Sequence, residues 1–141
     1  MARHSLQTLI KRAKHRMDRV QKELSEQQAA YNQTRDKIET LKGNIVNERQ
    51  LGSEAPELAL SLGEYVKVAQ HQVELYTYQL AQITTSLDAT RKRLMTLFAE
   101  SKRYEIAYEA HLAEEQAHRD HLERQELDEI AGVQHHRAHL K

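Results

Sequence analysis

Apolar side chains recur along this chain in alternating steps of three and four residues, with polar residues filling the positions between them. One stripe runs Leu6, Ile10, Ala13, Met17, Val20, Leu24, Gln27, Tyr31, Thr34, Ile38, Leu41, Ile45. A second runs Leu62, Val66, Ala69, Val73, Tyr76, Leu80, Ile83, Leu87, Thr90, Leu94, Leu97, Ser101, Tyr104, Tyr108. A repeat of 3.5 residues keeps one seam of a helix facing a partner helix in a left-handed supercoil. The pattern predicts an all-α fold, a long antiparallel two-helix coiled-coil hairpin. A seam two residues wide per heptad has no room for an active site, so function belongs on the surface and the ends.

The one stretch that reads as a connection is Gly52-Ser53-Glu54-Ala55-Pro56. Gly52 suits the left-handed residue that closes a helix, and Pro56 suits the first turn of the next. A second start is spelled by Ser61 and Glu64, which form a capping box. Helix one is expected over about 4–50, the connection over 51–56 and helix two over about 57–131, with a frayed tail at 132–141. Placing Ile45 opposite Leu62 puts Leu41 with Val66, Tyr31 with Tyr76, Ile10 with Leu97 and Leu6 with Ser101. A start at Ser61 shifts this register by one heptad. In the favoured register helix two runs out of partner past Tyr104. Its stripe there turns polar, through His111, Glu115 and His118. Residues 105–141 are therefore expected to form a projecting C-terminal helical arm and tail.

Composition narrows the chemistry. At 141 residues the chain reads as a single domain, 39% hydrophobic and 30% charged, too little apolar material for a thick core but enough for a seam. The absence of Cys excludes disulfides, thiolate metal sites and thiol catalysis. No run approaches the roughly 18 apolar residues of a membrane span, and no signal-peptide core is present. Residues 1–19 are basic and amphipathic, as in a transit peptide, but their heptads are in phase with the rest of helix one. The expectation is a soluble cytoplasmic protein without membrane insertion and without a cofactor.

Net charge is zero, yet the charges are segregated. Residues 1–22 carry seven Lys and Arg against Asp18, and residues 105–130 carry nine acids against Arg119 and Arg124. Such a neutral but polarised chain suits docking on protein rather than on nucleic acid. Nine His are present, and His111, Glu115 and His118 sit at i, i+4, i+7, a spacing that can bind zinc or nickel. The plainer reading is a solvated helix face in a His-rich chain. His135, His136 and His139 can capture metal incidentally. No Ser/His/Asp order, phosphate-cradling Gly loop or carboxylate pair in a pocket is found, so no catalysis is expected. Gln27, Thr34 and Thr90 are polar seam positions of the kind that fix register.

Leu6-Gln7-Thr8-Leu9 at the start and Leu127-Asp128-Glu129-Ile130-Ala131 near the end resemble segments of the flagellar export protein FliJ family and its injectisome relatives. The unequal hairpin with a projecting arm is similar too. The resemblance implies a non-enzymatic central stalk that couples a hexameric export ATPase to the export gate, a membrane protein, with a further role toward export chaperones. It implies ATPase contact through the terminal helices, at basic Lys11, Arg12 and Arg16 and at Leu122, Leu127, Asp128, Glu129 and Ile130. It implies export-gate contact near the hairpin, where Leu41 and Tyr65 match apolar and aromatic positions while Asn44 and Glu48 depart from the aromatic pattern. Two other readings compete. A generic coiled-coil scaffold would be indifferent to the arm, and a helical metal protein would use His111, Glu115 and His118.

Overall fold

Heptad-spaced apolar residues on a chain with one Pro and few Gly dictate long helices, and two are found. The computed structural model describes residues 2–139: α1 spans Ala2–Glu54 and α2 spans Ala59–His139, with a 3-10 turn over Pro56–Leu58 between them. The two helices pack on each other as an all-α hairpin, with no strand among the described residues. Among the described residues, the ten that are buried (Ala13, Val20, Thr34, Ile38, Ile45, Val66, Ala69, Leu87, Thr90 and Ser101) lie on the two stripes, so the stripes are the seam.

The connection differs from both local expectations. Gly52 does not close α1, because no described residue has positive φ and the helix continues to Glu54. The chain crosses over Ala55–Leu58 instead: the amide of Ala55 donates to the carbonyl of Leu51 at 2.9 Å and that of Leu58 to Ala55 at 3.0 Å. Pro56 opens the 3-10 turn, where its missing N–H is no loss. Ser61 caps nothing, since α2 is already under way at Ala59. The helix likewise runs through Gly132 to His139, where a frayed tail was expected; residues 140–141 lie outside the described part.

Moving the crossover moves the register by one heptad. A Cβ on Gly52 would stand 3.6 Å from Cδ1 of Leu62, so Gly52 and not Ile45 faces Leu62. The ammonium of Lys37 lies 5.5 Å from the ring centre of Tyr76, which Tyr31 was expected to face. The shift exchanges one set of seam residues for the next of the same kind, so the stripes stay buried.

The hairpin resolves into two compact units, one of residues 17–96 and the other of residues up to 16 with those from 97 on. In the turn-side unit Ile45, Val66 and Ala69 form the buried cluster, with Leu41 and Val73 packed against it. The same unit contains a polar layer. Thr90 is 1% exposed and donates to the carbonyl of Ser86 at 2.9 Å, while Arg93 meets Glu23 at 2.7 Å. Gln27 is less well served, because its side-chain oxygen is buried without a hydrogen-bond partner among the described residues. In the other unit the buried positions are Ala13 and Ser101, both small.

Candidate interaction site

In the unit built from the start of α1 and the second half of α2, the first turns of α1 lie beside residues 97–115 of α2. Ala13, 1% exposed, turns one side of α1 into the seam and leaves Lys11 and Arg12 on its outer side, with Arg16 at the edge of the seam. Lys11 and Arg12 meet no carboxylate within ion-pair distance among the described residues. Arg16 does: its guanidinium is 3.8 Å from Glu100. Glu100 also accepts a 2.6 Å hydrogen bond from the Tyr104 hydroxyl. That hydrogen bond, with smaller contributions from burial and the carboxylate charge, raises the Tyr104 pKa above its ordinary value of 10.0; Arg16 opposes the shift.

Pairing continues beyond the point at which α2 was expected to run free. The Gln7 amide donates to the Tyr108 hydroxyl at 2.8 Å, and Arg3 lies 3.8 Å from Glu115. The projecting arm therefore does not begin after Tyr104. Residues 105–115 still have a partner, a direct result of the shifted register, and every residue from His121 to His139 is exposed.

The expected metal trio is not assembled. Glu115 divides its oxygens between His111, at 3.1 Å, and Arg3, while His118 stands exposed one turn on. Among the described residues no three His, Asp or Glu side chains converge on a point that could hold a metal ion.

Over 121–139 the helix turns about 100° per residue, which places Leu122, Ile130 and Val133 within about 80° of one another. Leu127 widens that edge to about 140°. Their exposures are 45%, 55%, 51% and 64% in the order Leu122, Ile130, Val133, Leu127, so the whole edge faces solvent. Glu129 flanks it and Glu126 sits in its middle, whereas Asp128 falls on the opposite face. The helix thus unites Leu122, Leu127 and Ile130 and separates Asp128 from them. Val133 belongs to the edge and was missed; its spacing of three from Ile130 was the available signal.

In the turn-side unit Leu41 lines a shallow groove with Asp36, Lys37, Thr40, Gln72 and Tyr76. Half-buried Leu41 also packs on the Ile45 cluster, so it is shared between core and surface. Tyr65 is 43% exposed and does not line that groove.

Compared with known protein families, residues 1–140 match the model described as Flagellar FliJ protein. The chain belongs to the FliJ family. The match spans both helices, far more than the two short terminal segments that carry the resemblance. Membership makes this a flagellar, export-related protein. No curated protein and no solved structure matches the chain. Among the described residues no helix is long and apolar enough to cross a membrane.

Proposed function

We propose that this FliJ-family chain is a non-enzymatic stalk of the flagellar export apparatus, coupling the hexameric export ATPase to the export gate. The arm grips the ATPase through Leu122, Leu127 and Ile130, with Glu129 beside them and Asp128 on the reverse face. Lys11, Arg12 and Arg16 add an electrostatic contact that speeds association. Leu41 and Tyr65 belong to the gate-facing surface, and handling of export chaperones is part of the same role. The protein then works on the cytoplasmic side, peripheral to the inner membrane.

The observation that carries this reading is the bare helix over 121–139, which presents four large apolar side chains to water. An isolated helix is marginal in water, and one with an apolar edge gains most by burying it on a partner. A generic scaffold has no need of such an edge.

The test compares the full chain with a variant lacking residues 121–141. Thermal stability should be nearly unchanged, since the described part of that segment touches nothing else, while binding and stimulation of the export ATPase fall. Charge reversal at Lys11, Arg12 and Arg16 should slow association most at low salt. Equal stimulation by the truncated and full chains would favour the scaffold.

A further inference from the structure

We propose that His135 and His139 chelate a divalent first-row transition metal ion (zinc, nickel or copper), on the face of the arm opposite its apolar edge. Two His four residues apart stand one above the other on a helix, the spacing by which helical metal sites present two imidazoles to one ion. Here the rings are already drawn together: their centroids lie 4.2 Å apart, tilted by 54°. Metal–nitrogen bonds of about 2.0–2.1 Å need the two ligating nitrogens roughly 3 Å apart, a separation that rings at this distance reach by rotating.

The surroundings suit a cation. Both His are exposed on α2, so an ion can reach them from solvent. One turn back, Gly132 has nothing within 4 Å of where a Cβ would stand, so the ion's remaining positions are open to water. Asp128 lies on the same face one turn further back and supplies negative charge without coordinating. No third protein ligand converges, so the site is bidentate and exchangeable rather than structural. It is also distinct from the His111 and Glu115 pair, which is engaged by Arg3.

Its position gives it a use. An ion bridging His135 and His139 clips the last described turn of α2, which no other described element buries. Because the face points away from Leu122, Ile130 and Val133, metal uptake and docking through the apolar edge are compatible. The site stands on this geometry alone and does not depend on which partner takes that edge.

The experiment is calorimetric titration of the full-length, tag-free chain with zinc and with nickel, alongside circular dichroism and light scattering. The expected result is saturable uptake of about one ion per chain, with His135→Ala and His139→Ala each weakening it by about tenfold or more. His111→Ala and His118→Ala should leave it unchanged. Metal should increase the helical signal of the unaltered chain and not that of the His135→Ala, His139→Ala double variant. Absence of saturable uptake, or uptake that survives in the double variant, would overturn the assignment. Uptake of half an ion per chain with doubled mass would also overturn it, by placing the ligands on two copies.

Discussion

The two units of the hairpin use the same heptad spacing to different ends. On the turn side Leu41, Ile45, Val66, Ala69 and Val73 make an apolar cluster. In the unit that holds the chain termini the buried positions are Ala13 and Ser101, and the helices are joined by Gln7 with Tyr108, Arg3 with Glu115 and Arg16 with Glu100. Apolar burial contributes about 25 cal/mol per Å² and is insensitive to moderate salt, whereas exposed ion pairs are worth at most about 1 kcal/mol and are screened. The turn-side unit therefore has a contiguous buried apolar cluster, whereas in the other unit the apolar seam residues Leu6, Ile10 and Leu97 are only partly buried and polar pairs supplement them. That unit also carries the bare arm and Lys11 and Arg12, which meet no carboxylate among the described residues, the surface proposed to meet the ATPase.

The largest expected effect breaks the strong side of that contrast. Ile45, 7% exposed amid Leu41, Val66, Ala69 and Val73, should cost about 2–5 kcal/mol when replaced by Ala. Ser101→Ala, at an equally buried seam position of the other unit, should change stability by only a few tenths of that loss. Chemical denaturation of both variants measures the difference, and equal losses would remove the distinction between the units.

A gain comes next. Gln27 keeps a buried oxygen without a partner, a penalty of about 1–3 kcal/mol that its other contacts only partly offset. Gln27→Leu should raise the unfolding free energy by about 1 kcal/mol. A loss instead would mean that Gln27 contributes a hydrogen bond through water.

The smallest effect lies at alkaline pH. Tyr104 has its folded pKa raised above 10.0 by its hydrogen bond to Glu100, so the protonated phenol is the form the fold prefers. Its contribution is fully present below the unfolded value and is lost as pH rises through the higher folded value. Tyr104→Phe should therefore show a shallower decline in stability above pH 10 than the unaltered chain. Identical slopes would place the titrating group elsewhere.

These residues also show what could be read in advance. Among the described residues every buried side chain lies on a predicted stripe, because a 3.5-residue period is a local property of the chain and marks the seam wherever the partner sits. Register is not local. It depends on where the chain crosses over, and two plausible signals, Gly52 as a closing residue and Ser61 with Glu64 as a cap, both lost to a crossover at Ala55–Leu58. Carrying Gly52 inside α1 costs only about 1 kcal/mol, which an extended seam readily outweighs. The heptad shift then changed the site: Tyr108 and Glu115 gained partners, and the free arm shrank to the helix from His121 on. The apolar edge of that arm was legible in Leu122, Leu127 and Ile130. The placement of Asp128 on the opposite face follows from the helical period, which a contiguous run of residues conceals.

In the proposed role this arm is bare in the isolated protein and covered in its complex. Amide hydrogen exchange, resolved along the chain with and without the hexameric export ATPase, tests it directly. Free, residues 121–139 should exchange far faster than the amides around Ile45 and Ala69, and addition of the ATPase should protect 121–139 while leaving the turn-side cluster unaltered. Slow exchange of the arm in the free chain, or an arm still unprotected in a complex that has demonstrably formed, would contradict the account.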